Sequence, residues 1–257
     1  MTDTPAPAAQ PEPARGDAPD RTLDLLLVGC IGVGKTSLVK RYTDDRFSKT
    51  SYAITMVEKS VRTIDAGGER VRLVICDVGG QTRFAPLRRQ LYERADGVIY
   101  VYDVTNAQSL HGAQRLALEL RALDKKRESA RACVLVGTHT DVGTASDTGA
   151  DRRGAHPINA AAVPWREVAA SAGAAAATLL GMRHAEASAL SGAGVAAVFE
   201  DLARAIVAQR RDAENEAADV DEARESGATL LRRGADADAD AGADDAPRRG
   251  RWWRCCC

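Results

Sequence analysis

The sequence predicts an α/β fold: a mostly parallel six-stranded sheet with one antiparallel strand and helices on both faces. Three observations carry that expectation. Apolar runs of strand length alternate with helix-length amphipathic segments, which is the pattern of a parallel sheet covered on both sides. Gly67-Gly68 lies between one pair of runs, a hairpin signal that makes one strand antiparallel. The first run, LDLLLVG, flows directly into Cys30-Ile31-Gly32-Val33-Gly34-Lys35-Thr36-Ser37, so that a strand, a glycine-rich turn and a helix start stand in the order of a phosphate-binding loop.

Strand character falls at Leu23–Val28, Val61–Ile64, Val71–Cys76, Val98–Val104, Cys133–Val136 and, weakly, His184–Ala187. Helical periodicity falls at Lys35–Thr43, Pro86–Arg94, Ser109–Leu123, Trp165–Leu180 and Val195–Arg210. These elements place a single domain over residues 22–210 of the 257-residue chain. Residues 1–21, rich in Pro and Ala, read as a disordered leader without the apolar core of a secretory signal. The small, polar stretch 143–162 reads as a flexible insertion, with His156 a solvated loop residue. Beyond 211 the chain becomes acidic and Ala-rich and ends PRRGRWWRCCC, which reads as a disordered hypervariable tail.

Composition excludes several classes. A net charge of −1 offers no field for nucleic acid. No apolar run approaches the roughly eighteen residues of a membrane span. Cys30, Cys76 and Cys133 have no metal or disulfide spacing, which fits a reducing compartment.

Four sequence clusters carry chemistry. In the first, main-chain N–H groups of Gly29, Ile31, Gly32, Val33 and Gly34 cradle phosphate oxygens, Lys35 supplies a point charge, and Thr36 with Ser37 opens the helix. Thr36 is also an Mg²⁺ ligand candidate. In the second, Asp77 at a strand end holds Mg²⁺ opposite Thr36, Gly79 and Gly80 bring backbone to the terminal phosphate, and Gln81 orients an attacking water. In the third, Thr138-His139-Thr140-Asp141 follows a buried strand, and the Asp141 carboxylate suits both N1–H and N2–H₂ of guanine. In the fourth, Ser188-Ala189-Leu190 follows the last strand, where a backbone N–H near Ala189 meets the base oxygen.

With these four clusters in order, the chain resembles the Ras-superfamily small GTPases from about Leu23 to Gln209, and the Rab group most closely. The Rab likeness lies in the hairpin ending VRTI, in Gln81-x-Arg83-Phe84 and in GVIYVYDVT; Thr138 and Ser-Ala-Leu are Rho-like. The resemblance implies a small G domain and a switch that binds GTP or GDP with Mg²⁺. Thr55 would join the metal shell when the third phosphate is present, and loops 46–58 and 79–93 would order with GTP. It also implies exchange factors, GTPase activators, effectors and a prenyl carrier as partners. Three terminal cysteines, Cys255, Cys256 and Cys257, match the geranylgeranylated ends of Rab proteins. Arg248, Arg249, Arg251 and Arg254 with Trp252 and Trp253 would add lipid contact, placing the protein on the cytoplasmic face of a membrane and cycling with the cytosol.

Two departures bear on turnover. Ile31 replaces a small residue and would crowd Gln81, so hydrolysis should be slow. His139 stands where the family has Lys, whose stem covers one face of the base. The leading expectation is a membrane-anchored GTPase of slow turnover in vesicle trafficking or related signalling. The alternative is a GTP-binding scaffold with negligible hydrolysis, and a P-loop kinase or ATPase is the third.

Overall fold

A computed structural model describes residues 18–48, 57–123, 131–142 and 165–240. The sheet contains β1 (Arg21–Gly29), β2 (Val57–Ala66), β3 (Glu69–Val78), β4 (Gly97–Asp103), β5 (Ala132–Thr138) and β6 (Arg183–Glu186). Its order is β2-β3-β1-β4-β5-β6, with only the β2–β3 pair antiparallel. The helices are α1 (Lys35–Asp44), α2 (Ala85–Arg94), α3 (Ala107–Leu123), α4 (Ala170–Leu179) and α5 (Val195–Asp240).

Alternation along the strands builds two apolar layers. In β1, Leu23, Leu25 and Leu27 point to the face covered by Leu38 and Tyr42 of α1 and Phe199, Leu202 and Ile206 of α5. Leu26 and Val28 point to the other face, against Tyr92 of α2, Leu110 and Ala113 of α3, and Ala176 of α4. The period-2 pattern of side chains in a strand makes this division automatic. The β2–β3 turn has Gly67 at φ 69° and Gly68 at φ 80°, the two positive values that a type I′ hairpin turn requires.

The fold expected from the sequence is the fold observed, with three local corrections. The sheet begins at Arg21 rather than Thr22, and Asp20 already pairs with it: Asp20 N–H donates to Arg70 O at 2.8 Å and Arg70 N–H to Asp20 Oδ2 at 2.7 Å. The fourth helix begins at Ala170, not Trp165, because the preceding residues are tied down by tertiary bonds. Glu167 and Val168 N–H both donate to Val104 O at 2.9 Å, Glu167 Oε2 caps Ala107 N–H at 2.9 Å, and Arg166 grips Glu186 with two bonds of 2.8 and 2.7 Å.

The third correction concerns the tail. The chain divides into units at Gln209 and Arg210, and α5 continues in helical conformation to Asp240, where an unstructured segment is expected. The side chains of residues 211–219 are exposed, so no core accounts for the helix over that stretch. Ala, Glu and Arg are strong helix formers, and no proline occurs between Val195 and Asp240. A high charge content argues against a packed core, not against a solvated helix. Residues 1–17, 143–164 and 241–257 lie outside the described residues, and with them most of the leader, the 143–162 insertion including His156, and Cys255–Cys257. Among the described residues no helix is long and apolar enough to cross a membrane.

Candidate functional site

The carboxyl ends of β1, β3, β4 and β5 converge on one edge of the sheet, which is where an open α/β sheet binds ligands. The loop from β1 to α1 is formed by Gly32 at φ 81° and Gly34 at φ 84°, so its main chain turns tightly enough to direct consecutive N–H groups to one point. Val33 is buried beneath the loop and pins it to the core. Lys35 is also buried; its Nζ donates to Gly29 O at 3.0 Å and Cys30 O at 2.7 Å. Burial pushes the Lys35 pKa down, and the carboxylate of Asp77 partly restores it.

Thr36 Oγ1 donates to Asp77 Oδ2 at 2.7 Å. Asp77 is 2% exposed, yet its Oδ1 has no hydrogen-bond partner among the described residues. Burial drives its pKa upward, while Thr36 and Lys35 oppose the shift. A hydroxyl and an orphaned carboxylate oxygen side by side are the donor set of a hard divalent cation, so these residues fit Mg²⁺. Thr55, the third candidate ligand, lies outside the described residues.

Gly80 shows a constraint that differs from the conformational freedom its type would grant. Its φ is not positive. A Cβ there would lie 2.6 Å from Cys30 C and Ile31 N and 2.7 Å from Gly29 O. The turn after β3 therefore presses directly on the phosphate loop, and only glycine allows that contact. Gln81 follows immediately. The sequence reading overlooked Arg88, one helical segment later: it is buried, and its Nη1 donates to Gly79 O at 3.3 Å and Gln81 O at 2.9 Å. Burial lowers its pKa. Ile31, by contrast, is 61% exposed beside the loop.

The base side is assembled from β5 and the loop after β6. Thr138 is buried at the end of β5, and its hydroxyl lies 2.8 Å from Val33 O and 2.9 Å from Tyr102 O, sharing one hydrogen between them. It thereby tethers the phosphate loop to the base loop. His139 adopts a left-handed conformation at φ 60° and sets Nδ1 3.2 Å from Asp103 Oδ1. A Cβ added to Gly34 would meet the other edge of the ring at 3.4 Å, so the imidazole bridges Asp103 and the phosphate loop. The hydrogen bond to Asp103 raises the His139 pKa against the opposing effect of burial. For Asp103, burial acts upward, but hydrogen bonds from His139 and Thr105 outweigh it and hold the carboxyl low.

Asp141 is fixed by Ser188, whose Oγ donates to Asp141 Oδ1 at 2.5 Å. Ala189 and Leu190 follow on the same loop, and Arg41 of α1 donates to both of their carbonyls. The structure thus brings together Gly29–Ser37, Asp77, Gly80 and Gln81 on one side and Thr138, His139, Asp141 and Ser188–Leu190 on the other. Arg41 and Arg88 were not singled out in the sequence because a lone arginine on a helix carries no spacing signature.

The Ras family model matches residues 24–208. The chain is 31% identical over 197 residues to Ras-related protein Rab-10 of Caenorhabditis elegans, covering 77% of this chain and 87% of that protein. It is 30% identical over 205 residues to Ras-related protein Rab-3 of the same organism, covering 78% and 83%. It is 31% identical over 199 residues to GTP-binding protein ypt2 of Schizosaccharomyces pombe, covering 77% and 87%. The phosphate loop, the Thr36–Asp77 pair, the Asp141–Ser188 pair and a family match spanning the whole sheet lead to one conclusion: the chain belongs to the Ras family, as a divergent Rab-like member.

Proposed function

We propose that this chain is a membrane-anchored guanine-nucleotide switch that binds GTP and GDP with Mg²⁺ and hydrolyses GTP slowly, in vesicle trafficking or related signalling. Ras-family proteins are GTPases that bind GTP and GDP, typically with Mg²⁺. The observation that carries the reading is Asp141 locked by Ser188 on the same sheet edge as the Thr36–Asp77 pair, which joins a guanine acceptor to a cation and phosphate site.

Each role follows from placement. Asp141 accepts N1–H and N2–H₂ of guanine, a donor pair that adenine lacks. The imidazole of His139 covers a face of the base, and the Ala189 N–H meets its oxygen. Loop N–H groups and Lys35 hold the phosphates, with Thr36, Asp77 and Thr55 as the Mg²⁺ ligands. Bound Mg²⁺ neutralises phosphate charge during transfer. Gln81 orients the attacking water, its main chain held by Arg88, and Ile31 crowds that water. Geranylgeranyl groups on Cys255–Cys257 anchor the chain to the cytoplasmic face of a membrane, from which a prenyl carrier extracts it. Exchange factors, activators and effectors act on loops 46–58 and 79–93.

A second reading, a GTP-binding scaffold with negligible turnover, is favoured by the branched Ile31 beside the loop. One experiment decides between them. Protein isolated from its native cell is analysed for bound nucleotide and tail mass, then followed through a single turnover of GTP. Bound guanine nucleotide, prenylated cysteines and slow phosphate release accelerated several-fold by Ile31→Gly support the switch. Retained GTP with no release, even in Ile31→Gly, supports the scaffold, and bound adenine nucleotide overturns both.

A further inference from the structure

Arg41 lies on α1, six residues after Lys35, and reaches across to the loop that follows β6. Its Nε donates to Ala189 O at 2.7 Å and its Nη2 to Leu190 O at 2.7 Å. Both donors lie on one edge of the planar guanidinium, so two successive carbonyls are gripped by a rigid fork. The remaining Nη1 donates to Asp45 Oδ1 at 3.0 Å and Asp45 O at 3.3 Å, which fixes the guanidinium from its other side. The arginine side chain is only 19% exposed.

The grip falls on a loop already cross-linked by its own hydrogen bonds. Ser188 N–H donates to Ala193 O at 2.9 Å, Gly192 N–H to Ser188 O at 2.8 Å, and Ser191 N–H to Ser188 Oγ at 3.1 Å. Ser188 Oγ is itself bound to Asp141. No hydrogen bond among the described residues uses the Ala189 N–H. Ala189 is therefore held on both flanks, by Ser188 through Asp141 and by Arg41 through its own carbonyl, while its amide stays available.

We infer that Arg41 is a positioning residue for guanine recognition: by fixing the Ala189 and Leu190 carbonyls it aims the Ala189 N–H at the exocyclic oxygen of the base. This rests on the guanine-nucleotide reading above. The fork also makes α1 a direct mechanical link from the phosphate loop, at its first turn, to the base loop, near its last. A hydrogen bond aimed by a rigid group needs no reorganisation when the ligand arrives, which is how a weak neutral bond becomes discriminating.

The test separates aiming from simple stapling. Dissociation constants for GDP and 6-thio-GDP are measured with the full chain and with Arg41→Gln and Arg41→Lys. 6-thio-GDP keeps N1–H, N2–H₂ and the phosphates, but replaces the oxygen with a poor sulfur acceptor. Arg41→Gln is expected to weaken GDP about 5- to 10-fold, the worth of one neutral hydrogen bond, and 6-thio-GDP less than about twofold. Arg41→Lys, which keeps the charge but not the fork, falls between, and reads the same contrast if Arg41→Gln fails to fold. Equal losses for both ligands, or no loss of GDP affinity in either variant, overturns the inference. Failure of the unaltered chain to bind either ligand overturns the guanine reading itself, and that outcome cannot be confused with a defect in Arg41.

Discussion

The phosphate side of the site is shaped by glycines that set its main chain, the base side by side chains that lock its loops, and the two depart from the family in different ways. On the phosphate side, Gly32 and Gly34 fix the loop by their positive φ values and Gly80 presses against it with no room for a Cβ. Replacing Ile31 there leaves every cradling N–H in place. On the base side, side-chain bonds set the geometry: Ser188 holds Asp141, Arg41 holds the Ala189 and Leu190 carbonyls, and His139 stands where the family has lysine. Thr138 tethers Val33 O through its single hydroxyl, and His139 is held beside the phosphate loop by Asp103. Backbone-built subsites tolerate substitution, whereas side-chain subsites must be rewired around it.

The comparison predicts a graded series. Lys35→Ala should have the largest effect, because a buried ammonium opposite the phosphates has no substitute: about 3 kcal/mol of nucleotide binding, more than a hundredfold, lost equally for GDP and 6-thio-GDP. Titration of the purified variant with a fluorescent GDP analogue measures it. A loss under about tenfold would show that the loop N–H groups suffice alone, and would extend the main-chain argument to the whole phosphate side.

Thr138→Val is the intermediate case, since it cuts the tether between the two sides without touching ligand. One buried neutral hydrogen bond is worth about 1 kcal/mol, and leaving Val33 O short of a donor adds to that cost. GDP should dissociate roughly fivefold faster, with the melting temperature lowered by a few degrees. If dissociation is unchanged while melting falls, the tether stabilises the fold alone and the two sides of the site are independent.

How much of this was legible in the sequence divides along the same line. The phosphate loop, the Asp77 to Gln81 turn and the mostly parallel six-stranded sheet were readable because backbone chemistry demands glycine at fixed spacing, and buried parallel strands demand continuous apolar runs. The hairpin was readable from Gly67-Gly68 for the same reason. The corrections came where tertiary contacts override local preference. Residues 165–169 have helical composition but are kept out of the helix by bonds to Val104 O and Glu186. Helix α5 runs on to Asp240 through Ala-, Glu- and Arg-rich sequence without proline, where charge content points to a coil. Arg41, Arg88 and Asp103 escaped notice because each acts on a residue distant in sequence, and neither spacing nor periodicity encodes such a partner.

His139 gives the smallest effect and the one confined to the base side. Its pKa is raised above the ordinary 6.5, chiefly by the bond to Asp103. A group whose folded pKa is raised stabilises the folded state fully below its unfolded pKa and loses that contribution as pH climbs through the folded value. The window therefore opens near 6.5 and closes just above the raised value. With rising pH across it, the imidazolium gives up its proton, the pairing with Asp103 weakens, and the ring is held less firmly beside Gly34. GDP release should quicken by about two- to threefold between pH 6 and pH 8, as expected for a half-exposed ion pair worth well under 1 kcal/mol. Stopped-flow release of a fluorescent GDP analogue reads this directly. Asp103→Asn should shift the midpoint of the profile down toward 6.5, and His139→Lys should flatten it, because a lysine stays charged throughout. A profile that survives His139→Lys would remove the pH response from the His139–Asp103 pair.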